Sequence, residues 1–389
     1  MKTAYDVVVI GGGVVGLSVA RTLARTSYSV AVLEKGAVGR EASWAGAGLL
    51  SPLDVVDPSP VVGFHDYSLL KFETFCRELR EESGIDPEFQ RCGEYQFLFD
   101  ESDIEQAVAL RASFGDRLSE LGSPPLELID GNEARSREPR LAPGVQSVLV
   151  CRHTAQCRTT RLMAALATSC RSHGVDLIEG CAAESLLCRP DVESVSVEDD
   201  SLCVEGVVTA SGRIAARWVV LAAGSWSSEI ANWLGRLVPV YPVRGQMILL
   251  KTKPGWLGRI VTRQNKYLVP RNDGRILLGA TVEPESGFSK RVTPHGMSSL
   301  IAAAQTMCPS VSELEVEANW SGLRPGTPDG LPHIGKVRAG LLAATGHFRT
   351  GLTLAPATAD SICALVSGEP MPMSLDFCRP GRESTVFSR

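Results

Sequence analysis

The sequence lacks the features that mark several common classes of protein. Its 389 residues contain no C-x-x-C pair, although there are 11 cysteines, an odd number. Many of these cysteines have apolar neighbours, as in Leu202-Cys203-Val204, so we expect buried free thiols in a reducing cytoplasm rather than disulfides or a zinc site. The 39 Lys and Arg residues are scattered and the net charge is −5, which argues against a nucleic-acid-binding face or a polybasic membrane anchor.

The sequence also lacks an apolar run long enough to cross a bilayer as a helix. The strongest candidate, MKTAYDVVVIGGGVVGLSVAR at the N-terminus, contains Asp6 and three consecutive glycines, and this layout does not fit a signal peptide. Internal repeats and low-complexity segments are absent from the sequence. We therefore expect a soluble globular protein with two domains, or with one large α/β domain that carries an insertion.

What is present begins with residues 5–34, which have the order of elements found in dinucleotide-binding folds. The β-branched runs Val7 to Ile10 and Val30 to Leu33 predict parallel strands covered on both faces. Between them, Gly-x-Gly-x-x-Gly opens a segment with helical spacing. This order makes an unliganded glycine-rich turn the weaker interpretation.

Each glycine of the motif has a mechanical role. Gly11 makes the tight turn, Gly13 lets the backbone approach a pyrophosphate, and Gly16 brings helix and strand together. Glu34 follows the second strand, where an acid accepts a hydrogen bond from a ribose 2′-hydroxyl and repels the 2′-phosphate of NADP. The motif alone leaves open whether FAD or NAD binds.

Three later segments favour FAD. Residues 40–52, REASWAGAGLLSP, supply small side chains along which an extended cofactor can lie. Residues 218–226, WVVLAAGSW, predict an apolar strand that runs into a turn near the adenosine half. Residues 346–356, GHFRTGLTLAP, place a glycine-rich loop before an apolar helix, whose N-terminus stabilises negative charge on a reduced flavin.

Together with three further segments, these motifs give the chain a family resemblance over nearly its whole length. The further segments are VRGQ at 243–246, YLVPRNDGRILLGAT at 267–281 and GLRPGTPDGLPHIG at 322–335. The chain resembles the D-amino acid oxidase superfamily of flavoproteins, and within it the glycine oxidases of thiamine biosynthesis. The resemblance implies oxidative deamination of a small amino acid, with hydride transfer from Cα to flavin N5, an imine product and reduction of O2 to H2O2.

The resemblance also implies that FAD binds noncovalently and that the protein is a homo-oligomer. Related sarcosine oxidases tether the flavin through a cysteine, whereas the corresponding loop here carries His347. Motif and resemblance together predict the following cofactor-binding residues: Gly11, Gly13, Val14, Val15, Gly16, Glu34, Lys35, Ser43, Trp44, Ala45, Gly48, Leu49, Ala183, Ala223, Gly224, Trp226, Gly322, His347, Phe348, Arg349, Thr350, Gly351 and Leu352.

The predicted fold is an α/β flavoprotein with two domains. A Rossmann-like FAD-binding domain is expected to comprise residues 1–85, 147–228 and 321–389, and an inserted antiparallel-sheet substrate domain residues 86–146 and 229–320. The run Val243 to Leu250 predicts one strand of the insertion, and Asn272-Asp273-Gly274 predicts a hairpin between two more. A strand at Glu94 to Phe97 is expected to join them.

The substrate residues follow from the resemblance. Arg324 stands among turn-forming glycines and prolines, and its match to the GLRP motif implies that it binds the substrate α-carboxylate. A guanidinium suits this task because its planar fork fits a carboxylate and keeps its charge in a dry pocket. Tyr267 is implied to share the carboxylate, and Arg349 to lie at the mouth of the site. A structural ion pair, a strand aromatic and a solvated surface arginine are the respective alternatives.

Two positions depart from the family pattern. Asn265 and Val282 stand where glycine oxidases often have a histidine and a methionine, so sarcosine, other N-alkyl glycines and small D-amino acids stay open as substrates. A dehydrogenase that passes electrons to another acceptor, and a noncatalytic flavin-binding subunit, also stay open. The expected mechanism uses no side-chain base at Cα, because the lone pair of a neutral amine supplies the push.

Overall fold

The computed structural model describes residues 2–55, 59–114, 117–118, 126–190, 202–232 and 238–382, and most of its strands belong to two large sheets. The helices are α1 (Val14–Arg25), α2 (Ala42–Ala45), α3 (Val62–Ser83), α4 (Glu101–Phe114), α5 (Gly131–Arg137), α6 (Thr159–Ser172), α7 (Ser227–Asn232), α8 (Pro294–Met307) and α9 (Ala355–Ser367). The strands are β1 (Ala4–Ile10), β2 (Val30–Glu34), β3 (Leu49–Leu50), β4 (Glu94–Leu98), β5 (Leu126–Asp130), β6 (Ser147–Cys151), β7 (Ala155–Gln156), β8 (Asp176–Glu179), β9 (Ala183–Pro190), β10 (Leu202–Thr209), β11 (Gly212–Leu221), β12 (Tyr241–Lys251), β13 (Ile260–Arg263), β14 (Lys266–Pro270), β15 (Arg275–Gly279), β16 (Glu315–Gly326), β17 (His333–Arg338) and β18 (Leu341–Thr345).

The first sheet is the predicted parallel sheet. Its parallel strands run in the order β18-β11-β1-β2-β8, and β17 pairs antiparallel with β18 at the edge. Successive residues of β1 enter different cores. Val7 and Val9 pack with the helices, whereas Val8 and Ile10 pack with residues of β10 and β11. Because both faces are covered, β1 needs an unbroken apolar run, as the sequence predicts.

The helices that cover the first sheet are held to one another partly by a cluster of charged and polar side chains. Arg21 on α1 has a side chain that is only 3% exposed, and its guanidinium makes two hydrogen bonds, of 2.7 and 2.5 Å, to the carboxylate of Glu82 on α3. Ser169 on α6 also donates to Glu82. One carboxylate therefore connects three helices.

Replacing Glu82 with Gln should lower the free energy of unfolding by about 2 kcal/mol at pH 7. Burial raises the pKa of Glu82, but hydrogen bonds from Arg21 and Ser169 outweigh burial and lower this pKa to about 2. The carboxylate therefore stabilises the fold fully above its ordinary pKa of 4.5 and loses that contribution as the pH falls toward 2. Urea unfolding across this range should show the variant and the parent converging at low pH.

The matched control for this change is Glu81→Gln on the exposed face of the same helix. This control variant should have an unfolding midpoint close to that of the parent at pH 7 and at low pH. An equal loss of stability in the two variants would contradict the role given to the cluster.

The second sheet has the strand order β16-β12-β15-β14-β13-β4-β6-β5. Its neighbours are antiparallel as predicted, except that β13 and β4 are parallel. The parallel pairing is possible because β4 and β13 are far apart in the sequence, so no hairpin turn forces one strand to reverse against the other. The predicted strands at Glu94 to Phe97 and Val243 to Leu250 are confirmed within β4 and β12.

The predicted hairpin is also confirmed, between β14 and β15. Gly274 has φ +83°, and a β-carbon there would lie 2.5 Å from the carbonyl oxygen of Thr252, so glycine meets both a conformational and a steric demand.

Two strands of the second sheet extend across the predicted domain boundaries after residues 146 and 320. Strand β6 (147–151) lies in the second sheet beside β4 and β5, and β16 stays in that sheet as far as residue 326. The division of the chain into two domains stays a prediction, since sheet pairing alone does not set domain limits.

The described residues include neither a disulfide nor a helix that could span a membrane. All 11 cysteines are free thiols; six are buried, while Cys92, Cys181, Cys188, Cys203 and Cys363 are partly exposed. Within the described ranges, no helix combines the length and the apolar character needed to cross a membrane.

Candidate active site

One cavity of about 1270 Å³, measured to its open mouth, lies between the two sheets. Its wall combines the glycine motif at the start of α1, the small residues that follow β2, the ends of β11 and β18, and a face of the second sheet. The crevice at the carboxyl ends of parallel strands is where open α/β sheets bind ligands.

Two of the three motif glycines lie where a side chain would clash with the backbone, and the third faces the cavity. Gly11 has φ +112°, and a β-carbon there would lie 2.4 Å from the carbonyl oxygen of Ala222. A β-carbon on Gly16 would lie 2.0 Å from the carbonyl oxygen of Gly11. Gly13 differs, since it faces the cavity and its nearest obstacle would be the Ser43 hydroxyl at 3.3 Å.

Glu34 has a structural task that sequence reasoning missed. Its two carboxylate oxygens accept hydrogen bonds from the backbone amides of Gly12 and Gly36, each at 2.9 Å. The acid therefore fixes the shape of the motif loop. Each carboxylate oxygen has a second lone pair, so the predicted hydrogen bond to a ribose remains compatible with these contacts.

The loop of small residues approaches two other segments closely. A β-carbon on Gly48 would lie 1.9 Å from the carbonyl oxygen of Cys157, and one on Gly322 would lie 2.6 Å from the β-carbon of Ala45. The Ser43 hydroxyl accepts a hydrogen bond of 2.9 Å from the amide of Val14, at the first turn of α1. Small residues are thus required where β16 and the loop meet at the cavity.

The structure brings most of the predicted cofactor residues to the cavity wall. Those on the wall are Gly13, Val14, Val15, Ser43, Ala45, Gly48, Leu49, Gly224, Gly322, His347, Phe348, Arg349, Gly351 and Leu352. Those that the structure does not place on it are Gly11, Gly16, Glu34, Lys35, Trp44, Ala183, Ala223, Trp226 and Thr350.

Two of the residues off the wall contact each other instead. The Lys35 ammonium lies 3.3 Å from the ring centroid of Trp226, which in turn stacks on Phe288. This cation–π pair was not predicted, because it joins residues almost 200 positions apart.

The cavity suits an extended dinucleotide. The amides of Val15 and Gly16 belong to the first turn of α1 and have no intrahelical partner, so they can donate to phosphate oxygens. The wall also includes small side chains and the guanidinium of Arg324.

His347 lies on the wall but is not available as a base. Its ring is buried, and Nε2 lies 3.1 Å from the Thr358 hydroxyl. Burial lowers the pKa of His347 to about 3, so the imidazole is neutral at physiological pH.

Arg324 on β16 points into the cavity from the second sheet. Nη1 donates to the carbonyl oxygen of Thr281 at 3.1 Å, and in the described part of the chain no carboxylate lies within 4 Å of the guanidinium. Burial lowers the pKa of Arg324, but a guanidinium keeps its proton in proteins. A desolvated cation without a protein acid is a site for an anion.

Gly245 on β12 makes room for this guanidinium. A β-carbon there would lie 2.1 Å from Nη1 and 2.4 Å from Nη2 of Arg324. We therefore expect Gly245→Ala to weaken the binding of acetate by on the order of tenfold, because the displaced fork loses its alignment with a carboxylate. Calorimetric titration with acetate measures the effect.

Gly144→Ala is the control for that variant, since a β-carbon at Gly144 meets nothing within 4 Å. It should leave acetate binding unchanged. Equal acetate affinities for Gly245→Ala and the parent would mean that the guanidinium is not the acetate site.

The other two predicted substrate residues lie in the same cavity. The Tyr267 hydroxyl is 3.5 Å from the sulfur of Met247, and burial raises the pKa of Tyr267, so the phenol keeps its proton. Arg349 is exposed at the mouth, where Nη1 donates to the Asn265 side-chain oxygen. Val282 lies at the rim and is 39% exposed.

Asp54 is a wall residue that sequence reasoning missed. It ends a short 3-10 helix at 52–54, directly after the loop of small residues. Its position close behind residues 40–52 was the only signal in the sequence that could have drawn attention to it.

Comparisons with known proteins agree with one another. Residues 6–365 match the family model described as DAO, FAD dependent oxidoreductase. The chain is 37% identical over 380 residues to the glycine oxidase of Pseudomonas aeruginosa, with 97% of this chain and 99% of that protein covered. It is 30% identical over 395 residues to the bifunctional protein ThiO/ThiG of a Synechocystis species, which covers 99% of this chain and 55% of that protein.

Solved structures give the same result. The crystal structure of glycine oxidase from Geobacillus kaustophilus superposes with a TM-score of 0.89 at 30% sequence identity. The match covers 98% of this chain and 100% of that one.

Proposed function

The chain belongs to the DAO family of FAD-dependent oxidoreductases, and from this premise we propose that it oxidises glycine, or a similarly small amino acid, to the imine with noncovalent FAD. The likeness to glycine oxidases over nearly the whole chain supports this reaction. Reduction of O2 to H2O2 completes the cycle. The likeness to a bifunctional ThiO/ThiG protein supports a place in thiamine biosynthesis.

The observation that carries the proposal is the buried guanidinium of Arg324, which has no acid within 4 Å in the described ranges. A substrate α-carboxylate supplies the missing charge. Two parallel N–H···O bonds fix both the position and the rotation of a carboxylate, so the rest of a small amino acid has little freedom. The protonated Tyr267 hydroxyl lies within the same cavity and donates to the same group.

When bound, FAD takes up the hydride that leaves Cα and passes the electrons on. The residues of this chain hold the cofactor and align the substrate with it. The first turn of α1 binds the pyrophosphate, and Glu34 keeps the motif loop in shape. His347 contributes backbone to the wall and remains neutral. None of these tasks requires a proton acceptor at Cα.

The wall of the substrate end sets the range of substrates. Asn265 holds Arg349 through a hydrogen bond, and Val282 leaves the rim open. Both residues stand at positions where glycine oxidases often have larger side chains, so we include sarcosine and small D-amino acids among the substrates to be tested. The free thiols fit a cytoplasmic protein, and a homo-oligomer is part of the proposal.

The experiment that tests the proposal is anaerobic titration of the purified yellow protein with glycine, sarcosine, D-alanine and D-proline. Glycine should bleach the absorbance of oxidised flavin, and admission of air should restore it quickly. Slow recovery in air would assign the protein to the dehydrogenases. Failure of all four amino acids to bleach the flavin would contradict amino acid oxidation.

A further inference from the structure

The cavity that holds Arg324 also contains a carboxylate, that of Asp54. The backbone amide of Asp54 donates to the carbonyl oxygen of Ser51 at 3.1 Å, which fixes the residue at the end of the 52–54 turn. Among the described residues, no Lys, Arg or His nitrogen lies within 4 Å of its carboxylate. The wall therefore carries a carboxyl group to which the described residues supply no ion pair.

The charged and titratable neighbours of Asp54 come from four elements. Burial raises the pKa of Asp54, while Arg349 after β18 and His65 on α3 act against burial. Glu94 on β4 and Tyr267 on β14 also interact with its charge. None of these four neighbours makes an ion pair with Asp54.

Glu94 is the other buried acid here, and its contacts differ. It accepts hydrogen bonds from the hydroxyls of Ser51 at 2.6 Å, Thr154 at 2.9 Å and Thr262 at 2.6 Å, and it does not line the cavity. Its hydrogen-bonding capacity is used within the protein. Asp54 is thus the acid that remains available to a ligand.

The cavity wall carries two arginines, Arg324 and Arg349, and the carboxyl group of Asp54, none of which has an ion pair among the described residues. An amino acid zwitterion brings a group of opposite charge to each kind. We propose that Asp54 recognises the amino group of the substrate: its carboxylate binds the ammonium while Arg324 binds the α-carboxylate, and it then accepts one ammonium proton. The inference rests on the proposed function and adds a catalytic residue to it.

The proton transfer is balanced without any other reactant. One N–H bond of the ammonium breaks, an O–H bond forms on Asp54, and the nitrogen keeps the electron pair. The resulting neutral amine has the lone pair that departure of hydride from Cα requires. Burial favours the uncharged carboxylic acid, so it assists the acceptance of the proton.

The test compares glycine with propionate, in which a methyl group replaces the ammonium at nearly the same size. In the wild-type holoenzyme, propionate should bind on the order of tenfold more weakly than glycine, since it lacks the charge-assisted contact. Asp54→Asn should raise the dissociation constant of glycine by a similar factor and leave that of propionate unchanged or lower. Anaerobic rapid mixing gives the glycine value, and flavin spectral changes give the propionate value.

Further variants identify which acid binds the ammonium and accepts its proton. Asp54→Glu retains the charge and should recover part of the affinity for glycine. Asp54→Asn should also move the rise of kcat/KM to higher pH, because glycine must then arrive with its amine already neutral. Glu94→Gln should produce neither change, and finding the pH shift in Glu94→Gln but not in Asp54→Asn would overturn the assignment.

The failure of this inference is distinguishable from failure of the proposed function. If glycine still depends on Arg324 but binds equally well to Asp54→Asn and to the parent, the amino-group role of Asp54 is wrong and the carboxylate clamp stands. If neither glycine nor propionate depends on Arg324, both ideas fail. Should Asp54→Asn not retain FAD, the wild-type comparison decides, and propionate binding as tightly as glycine would refute the inference.

Discussion

Arg324→Met should lower kcat/KM for glycine by on the order of 10²-fold or more, while FAD remains bound. The change removes a charge-assisted bidentate contact worth roughly 2–3 kcal/mol. It also leaves the substrate free to rotate out of the reactive orientation. Met has nearly the length of the arginine stem, so packing against β12 is largely kept. Steady-state peroxide production and anaerobic flavin reduction should fall together.

The control for this variant is Arg213→Met, at an exposed position on β11 that is not part of the cavity wall. It should have the kinetics of the parent. Near-normal kinetics with glycine in Arg324→Met would remove the central support of the proposed function, whatever the cofactor content.

Gly13→Val should weaken FAD binding by on the order of 10²-fold and give a colourless protein on purification. Gly13 faces the cavity at the start of α1, in the place where a pyrophosphate needs close backbone approach. A valine side chain would occupy that space. The backbone of Gly13 is extended, with φ −79° and ψ −178°, so valine does not strain it and the protein should still fold.

Fluorescence titration of the apoprotein with FAD measures this loss, and circular dichroism checks the fold. Gly144→Val is the control, because a β-carbon at that glycine meets no atom within 4 Å. Unchanged FAD affinity in Gly13→Val would show that the pyrophosphate does not approach the loop at this residue.

The parts of the fold that could be predicted are those encoded within a short segment. The run at Val7, the glycine motif and the turn at Gly274 each carry their own physical reason, so strand, loop and hairpin follow directly from local sequence. The approximate positions of Arg324 and Tyr267 came from a family resemblance rather than from spacing, and the structure brings both to one cavity.

The parts that could not be predicted depend on distant segments meeting. The electrostatic influence of Arg349 on Asp54, the space that Gly245 leaves for Arg324, and the parallel pairing of β4 with β13 all join residues more than 70 positions apart. The use of Glu34 to fix the motif loop is different. One of its two contacts, with Gly36, is local, but an expected contact with a ribose already accounts for an acid at this position, so nothing in the sequence demanded a second task.

The neutral imidazoles have a consequence for enzymology near neutrality. Burial lowers the pKa of His333 to about 4 and that of His347 to about 3, and these are the histidines nearest to the glycine-rich loop before α9. An ionisation seen between pH 5 and 8 in a kinetic profile would therefore not belong to either ring. It would report another group, such as the ligand's nitrogen or a carboxyl group, so these two rings can be left out when such a profile is assigned.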